Sequence, residues 1–221
     1  MARRGYDVEA ADAHLARDRA LATWMRRIGP IGADPRWRKP FDPVDALARA
    51  ILYQQLSGKA AATIVARVGT AIGATRLHAD TLGHCDDATL RACGVSGNKL
   101  FALRDLAARE ARGDVPTLRR MATMDDDAII AALVPIRGIG RWTVEMMLMF
   151  RLGRPDLLPV DDLGVRKGAQ IVRRLEAMPT PKELGALGTR WGPWRTQASL
   201  YLWRVADFAA ARNAPVKRSQ E

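Results

Sequence analysis

Two adjacent carboxylates, Asp161 and Asp162, stand between an apolar loop and a predicted helix that starts near Leu163. One of them is well placed to cap that helix, and a cap needs only one acid. The second is not explained by capping, because neighbouring like charges repel. A carboxylate near a polyanion disfavours binding, but it stabilises positive charge that develops during a reaction. The pair is therefore a candidate for catalysis.

A tight turn, Gly138-Ile139-Gly140, separates two apolar stretches of predicted helix. Two glycines one residue apart let the backbone take positive φ and approach a bulky ligand closely. The second helix begins at the same place, and its N-terminal N–H groups and dipole favour an anion such as phosphate. The alternative is a glycine that only caps the preceding helix. The residues of the turn leave both interpretations open.

The stretch Gln54-Gln55-Leu56-Ser57 follows another predicted helix. It is either an ordinary polar helix terminus or a loop whose amide or apolar side chain wedges into a base stack. Five tryptophan and tyrosine residues fall in the C-terminal half, at positions 142, 191, 194, 201 and 203, and most aromatics at helical spacing are expected in the core. Trp142 is the exception, because it lies at the start of the helix after the glycine turn. Stacking of a base on such a ring contributes about 1–3 kcal/mol.

The charge balance favours a polyanionic partner. The 221 residues include 35 Lys and Arg against 24 Asp and Glu, which gives a net charge of +11 and a pI near 10.6. Nucleic acid is the first candidate for a chain this basic. A protein that is basic without such a partner remains the alternative.

Several classes of site are disfavoured by composition. Cys85 and Cys93 are too few for a disulfide framework or a four-cysteine iron–sulfur cluster, and the histidines at positions 14, 78 and 84 lack zinc-ligand spacing. No apolar run approaches the roughly 20 residues of a membrane span, and the first residues lack the apolar core of a signal peptide. We expect a monomer in a reducing cytoplasm, with no membrane partner.

The chain predicts an all-α fold of about ten helices, because β-branched residues are sparse and no period-2 alternation is sustained. We expect one domain over residues 1–214, formed by two helical lobes around a cleft, and a flexible tail over 215–221. Helix-start signals are expected at Asp42-Pro43, at Thr123 with Asp126, and at Thr180-Pro181 with Glu183. The apolar spacing between about Val8 and Ile28 indicates helix throughout.

Four motifs in order give a resemblance to a known family. The hairpin between Leu133 and Met146, followed by Leu158-Pro159-Val160-Asp161-Asp162-Leu163-Gly164, resembles the helix-hairpin-helix, Gly/Pro-rich-loop and Asp signature of one DNA glycosylase superfamily. The segments 51–57 and 191–195 are similar to the AlkA-like 3-methyladenine DNA glycosylase II branch. The likeness spans about Asp42 to Phe208 and implies the compact form of this fold, with a helix-hairpin-helix motif.

The resemblance implies roles for individual residues. Asp162 matches the catalytic aspartate, although the doubled acid leaves Asp161 as an alternative. The positions implied for DNA contact are Gln54, Gln55, Leu56, Ser57, Gly138, Gly140, Arg141 and Thr143. Among them, Gln55 or Leu56 matches the wedge that fills the gap left by a flipped nucleotide. The positions implied for the base pocket are Trp142, Met146, Leu163 and Trp203.

The same resemblance bears on cofactors and reaction type. Backbone carbonyls of Val134, Ile136 and Ile139 match those that hold a monovalent cation, Na⁺ or K⁺, and no other cofactor is implied. Lyase-competent relatives have a lysine where Trp142 stands, so no amine is available there for a Schiff base. The expected activity is monofunctional excision, from duplex DNA, of alkylated purines such as 3-methyladenine and 7-methylguanine. Ethenoadenine and hypoxanthine are further candidate substrates. The alternatives are a non-catalytic DNA-binding module and an oxidised-base glycosylase of the same superfamily.

Overall fold

The computed structural model describes residues 5–213, and within that range the fold is entirely helical. Its helices are α1 (Val8–Leu15), α2 (Arg19–Ile28), α3 (Pro43–Tyr53), α4 (Gly58–Ile72), α5 (Ala79–Gly83), α6 (Asp87–Ala92), α7 (Gly97–Ala111), α8 (Leu118–Met121), α9 (Asp126–Leu133), α10 (Arg141–Met147), α11 (Leu163–Arg173), α12 (Pro181–Gly188) and α13 (Arg195–Asn213). The all-α prediction is confirmed. The thirteen α-helices among the described residues exceed the expected number of about ten, and three of them, α5, α6 and α8, are too short to be recognised from apolar spacing. The predicted tail, 215–221, lies outside the described residues.

Most helix-start signals act as the sequence indicates. The Asp42 side chain accepts the Asp45 N–H and caps α3, whose first residue is proline. Thr180 and Glu183 form a reciprocal capping box at the start of α12. These signals are local, because the capping side chain and the N–H that it satisfies lie within three residues of each other.

Two of the predicted boundaries are wrong. The stretch Val8–Ile28 is two helices, because the Asp18 side chain accepts the Leu21 N–H and starts α2 afresh. Thr123 does not open α9; Asp125 caps it by accepting the Ala128 N–H at 2.6 Å. In both cases an aspartate, among the strongest capping residues, occupies the position that sets the boundary.

The described residues form two compact units. The first unit comprises residues up to Arg38 together with those from Leu148 onward. Its core joins α2, α11 and α13 around the fully buried Trp191, Tyr201 and Val165. Helices α11 and α13 approach closely at Gly168, where a Cβ would overlap the backbone carbonyl of Leu202.

The second unit spans Lys39–Met147. Helix α7 packs against both α3 and α5, and Ile51 and Leu103 are fully buried in this unit. Helices α9 and α10 pack against each other and form the predicted hairpin pair. The unit therefore contains the glycine turn and the stretch 54–57, whereas Asp162 belongs to the first unit.

The helix predicted after the glycine turn begins at Arg141, but beyond Met147 it is no longer α-helical. Residues Leu148–Leu152 form a π-helical turn directly after α10. The Trp37 indole N–H donates to the Met149 carbonyl at 2.9 Å and so satisfies a backbone group of this turn. Single π-turns inside helices are frequent at functional sites.

No helix among the described residues is long and apolar enough to cross a membrane. Within the same residues, no group of three or more His, Cys, Asp or Glu side chains is arranged to hold a metal ion.

Candidate active site

Asp162 lies at the N-terminus of α11, and its side chain caps that helix. Its Oδ1 accepts the Val165 N–H at 2.9 Å and also the Trp203 indole N–H at 2.7 Å. The capping and catalytic interpretations of this residue thus need not exclude each other. Two N–H donors fix the orientation of this carboxylate at the N-terminus of the helix. Asp161 is exposed and does not cap the helix.

The close approach of Trp203 to Asp162 depends on Gly164. A Cβ at Gly164 would lie 2.7 Å from the indole Cδ1 and 3.2 Å from the Asp162 Oδ1. The glycine therefore leaves the space in which the indole and carboxylate meet. This contact gives a physical reason for a glycine two residues after the aspartate in this chain.

An aromatic stack continues from Trp203 away from the carboxylate. The Phe150 ring, in the π-helical turn, stacks on Trp203 with centroids 5.9 Å apart and planes 25° apart. The Arg36 guanidinium lies 4.2 Å from the centroid of Phe150, and Asp34 holds that guanidinium by two oxygens. Burial opposes ionisation of Asp34, but its hydrogen bonds with Arg36 outweigh this and hold the pKa of the carboxyl below its usual range.

One of the two glycines in the glycine turn has the positive φ expected from the sequence. Gly138 takes φ +79°, and a Cβ there would lie 3.2 Å from the Ala102 Cβ. The prediction of positive φ is wrong for Gly140, whose φ lies outside the left-handed region and whose Cβ position is open. Both glycines are exposed. Gly140 is thus free of internal constraint, and its lack of a side chain leaves the surface of the turn open to a ligand.

Two predicted DNA contacts beside the turn already have internal partners. The Thr143 N–H donates to the Gly140 carbonyl at 3.0 Å, so this donor already has an acceptor within the protein. The Arg141 guanidinium donates to the buried Glu145 at 2.9 Å and lies 3.6 Å from Asp127. Much of its positive charge is therefore compensated within the protein.

The predicted cation ligands lie in the same turn. The Ile136 carbonyl accepts the Ile139 N–H at 3.0 Å, and a carbonyl oxygen has a second lone pair for a further partner. Val134 is 40% exposed at the end of α9, while Ile136 and Ile139 are buried. The donor set of backbone oxygens suits a hard monovalent cation, and the carbonyls of these three residues remain its predicted ligands.

The stretch 54–57 forms a short connection between α3 and α4. Gln54 donates from Nε2 to the Gly138 carbonyl at 2.8 Å, which joins this connection to the glycine turn. Gln55 has φ +56°, unusual for a residue other than glycine, and Leu56 is 40% exposed. The Ser57 hydroxyl accepts the Ala60 N–H and caps α4. We call residues 54–57 the wedge loop.

The predicted pocket residues fall in both units. Trp142, which is 49% exposed, and the half-buried Met146 lie in the second unit. Leu163, which is 66% exposed, and the half-buried Trp203 lie in the first, where the structure brings Trp203 to Asp162. The expectation that Trp142 is accessible is confirmed, while the pocket role of all four stays a prediction.

Comparison with known proteins decides the family. A family model described as "HhH-GPD superfamily base excision DNA repair protein" matches residues 48–193, more than half of the chain. The chain belongs to the HhH-GPD superfamily.

The similarity extends beyond the region of the HhH-GPD match. The chain is 33% identical to DNA-3-methyladenine glycosylase 1 of Schizosaccharomyces pombe over 189 residues, 84% of this chain and 83% of that protein. A crystal structure of DNA-3-methyladenine glycosidase from Bacillus halodurans is 32% identical, with a TM-score of 0.80, and the match covers 90% and 89% of the two chains. The S. pombe 3-methyladenine DNA glycosylase in complex with abasic DNA is also 32% identical, with a TM-score of 0.72, covering 88% and 95%.

Sequence reasoning about this HhH-GPD protein missed two groups of residues. Phe150 and Arg36 were not singled out, since they are separated by more than a hundred residues and meet only through the fold. The sequence assigns no role to Lys99, yet its ammonium donates to the carbonyls of Leu52 and Gln54 at 2.7 and 2.8 Å. Nothing in the sequence around this lysine indicates that it bonds to carbonyls at the end of another helix.

Proposed function

We propose that this protein is a monofunctional DNA glycosylase that hydrolyses the N-glycosidic bond of alkylated purines in duplex DNA. The observation that carries the proposal is the Asp162 carboxylate, oriented by the Val165 N–H and the Trp203 indole at a helix N-terminus. The similarity to 3-methyladenine DNA glycosylases over most of the chain supports the same substrate class.

Asp162 stabilises the cationic sugar that forms as the bond to the base breaks. A purine methylated at N3 or N7 carries positive charge and is already a good leaving group, so protonation of the base is not required. At about 4 Å and an effective dielectric constant near 20, the attraction between carboxylate and sugar is on the order of 4 kcal/mol, or roughly 10³ in rate. The same carboxylate orients the attacking water, which supplies the hydroxyl of the product sugar.

The aromatic residues account for the proposed preference of the protein for positively charged bases. A cationic base is attracted to an electron-rich face such as that of Trp142 or of Trp203. Before it reaches such a face the nucleotide must leave the stack, and weak stacking of a damaged base lowers this cost. Gln55 or Leu56 of the wedge loop fills the gap from the minor groove.

The hairpin supplies grip on the backbone rather than sequence recognition. Gly138 and Gly140 bring the main chain to a DNA phosphate, and Val134, Ile136 and Ile139 would hold a Na⁺ or K⁺ by their carbonyls. Such a cation would add positive charge beside the phosphate. Trp142 stands where a lyase would have its lysine, which supports hydrolysis without strand cleavage. The proposal also includes a monomer that acts in the cytoplasm, consistent with two buried and unpaired cysteines.

The test is an excision assay on duplexes that contain methylated purines, ethenoadenine, hypoxanthine or 8-oxoguanine. We expect release of free methylated base and an intact strand until alkali is added. Asp162→Asn should abolish release while DNA binding stays the same or tightens, because a negative charge near the phosphates is removed. Asp161→Asn is the matched control and should retain activity.

Other outcomes would overturn parts of the proposal. Loss of activity in Asp161→Asn with retention in Asp162→Asn would move the catalytic role by one residue. Binding without release of any base would indicate a DNA-binding module, and strand breaks without alkali or release of 8-oxoguanine alone would indicate an oxidised-base enzyme.

A further inference from the structure

Helix α7 carries a lysine that closes the end of α3. The Lys99 ammonium donates to the carbonyls of Leu52 and Gln54, at 2.7 and 2.8 Å. These are carbonyls at the C-terminus of α3, where no N–H of a next turn is available. The positive charge also complements the negative end of that helix. Gln54 is the first residue of the wedge loop, so Lys99 fixes the position from which the loop departs.

The same helix holds the glycine turn. The Asp105 carboxylate accepts the Arg137 N–H at 2.8 Å, immediately before Gly138. Ala102, between Lys99 and Asp105 on the same helix, lies against Gly138 closely enough that a Cβ on the glycine would be 3.2 Å away. One face of α7 thus contacts both candidate DNA-contacting segments.

A direct bond joins the two segments to each other. The Gln54 side chain reaches the Gly138 carbonyl at 2.8 Å, while its own carbonyl is held by Lys99. Gln54 is therefore fixed at both its backbone and its side chain. The next residue, Gln55, is in the left-handed region, which costs free energy and persists only where neighbouring contacts impose it.

These contacts matter because a wedge has to be stiff. A loop that orders only when it enters the base stack must lose conformational entropy at that moment, whereas a loop that is already ordered does not. Burial lowers the pKa of Lys99, which reflects the cost of keeping an ammonium in this position. A hydrogen bond from a charged donor is stronger than one between neutral groups, so two of them offset that cost.

We infer that Lys99 is a positioning residue for nucleotide flipping: its ammonium holds the wedge loop in place against the glycine turn, so that the wedge residue, Gln55 or Leu56, enters the duplex preordered. This inference rests on the wedge role within the proposed function. Lys99 acts on the flipped state through the loop and does not touch the lesion. Its removal lowers the rate of flipping and excision more than it lowers DNA affinity.

The test compares Lys99→Met with Lys59→Met. Both variants lose one positive charge, but Lys59 is exposed in the first turn of α4. We expect Lys99→Met to slow single-turnover excision at saturating enzyme by about 10-fold to 100-fold, the range for loss of hydrogen bonds from a charged donor. Lys59→Met should weaken DNA binding slightly and leave the saturated rate unchanged. Gln54→Met removes the hydrogen bond to Gly138 and should slow excision in the same way. It replaces Lys99→Met in the comparison if that variant folds poorly.

Two further measurements separate positioning from general damage. In a protein that already carries Gln55→Ala and Leu56→Ala, Lys99→Met should cause no additional loss, because there is no wedge left to position. Fluorescence of 2-aminopurine placed beside an abasic analogue reports flipping without hydrolysis, and Lys99→Met should reduce its increase.

Additive losses in the triple variant, or an unchanged fluorescence increase in Lys99→Met, would overturn the inference. A wild-type protein that flips the nucleotide but releases no base would instead contradict the proposed hydrolysis, so the two failures are distinguishable.

Discussion

At the scale of single residues, the candidate chemistry depends on one hydrogen bond between residues 41 positions apart. The Trp203 indole N–H reaches Asp162 Oδ1 only because Gly164 leaves room for the ring. The sequence permits the prediction of Asp162 as the catalytic aspartate and of Trp203 as a residue of the base pocket. It does not predict the bond, because no local periodicity relates a helix N-terminus to the middle of a helix 41 residues later.

Trp203→Phe tests this bond, since phenylalanine keeps an aromatic ring for Phe150 but has no N–H. A hydrogen bond to a charged group contributes about 1.5–3 kcal/mol, so kcat should fall roughly 10-fold to 100-fold if the bond orients the carboxylate in the transition state. Single-turnover excision of 7-methylguanine measures the effect. Trp194→Phe, in the same unit, should change kcat little. An unchanged kcat in Trp203→Phe would show that the Val165 N–H is sufficient.

The two glycines of the turn should respond differently to alanine. Gly138→Ala places a side chain at φ +79° and against Ala102, so we expect a loss of stability of about 1–2 kcal/mol. Gly140→Ala meets open space and should leave the melting temperature unchanged, yet its methyl group would project from the surface proposed to meet a phosphate. DNA affinity of Gly140→Ala, measured by anisotropy, should fall several-fold. Unchanged affinity would remove Gly140 from the proposed contact.

At the scale of elements, helix starts with a capping residue and proline could be predicted, as at α3 and α12. Prediction failed where two polar residues compete for one boundary, as Thr123 and Asp125 do before α9. It also missed the π-turn Leu148–Leu152, because its residues are apolar and fit an ordinary helix equally well. The role of α7 in holding the wedge loop was missed for a different reason: it depends on contacts across 45 or more residues of sequence.

His78, at the start of α5, lies within ion-pair distance of carboxylates at two other helices. His78 lies between Glu110 of α7, at 2.5 Å, and Asp42 at the start of α3, at 3.3 Å. Burial lowers the pKa of His78, but the hydrogen bond with Glu110 and the charges of Asp42 and Asp80 outweigh it and raise the pKa above its usual value. Because the folded-state pKa exceeds the unfolded one, this stabilisation is complete below about pH 6.5 and is lost as pH rises through the folded-state pKa.

We therefore expect His78→Gln to lower the melting temperature more at pH 6 than at pH 9. The exposed His84→Gln should show no such dependence. Thermal unfolding followed by circular dichroism measures both variants. An equal decrease at the two pH values would mean that the charge of His78 does not contribute to stability.

At the scale of the whole molecule, the net charge of +11 is the basis for DNA affinity, and it makes that affinity sensitive to salt. A protein that contacts about six phosphates loses roughly 10³ in affinity between 50 and 200 mM salt. Not every arginine contributes equally. Arg141 is held by Glu145 and Asp127, while Arg137, exposed beside Gly138, lies over the Phe101 ring.

Arg137→Gln should therefore reduce the slope of log Kd against log salt by about 1, the value for one phosphate contact. Arg141→Gln should reduce it by less, because its guanidinium is already paired within the protein. Titrations of a methylated duplex at four salt concentrations give both slopes. Equal changes in the two variants would show that Arg141 leaves its carboxylate partners when DNA binds.

The crossing of α11 and α13 at Gly168 has a consequence for how this protein can diverge. A side chain larger than hydrogen at position 168 would separate the two helices, since the carbonyl of Leu202 occupies the space that a Cβ would need. Leu202 directly precedes Trp203, and α11 begins with the cap at Asp162. A substitution at Gly168 would thus separate Asp162 from Trp203. Descendants of this sequence can therefore change at the exposed Leu163, whereas replacement of Gly168 is opposed by the geometry of the backbone.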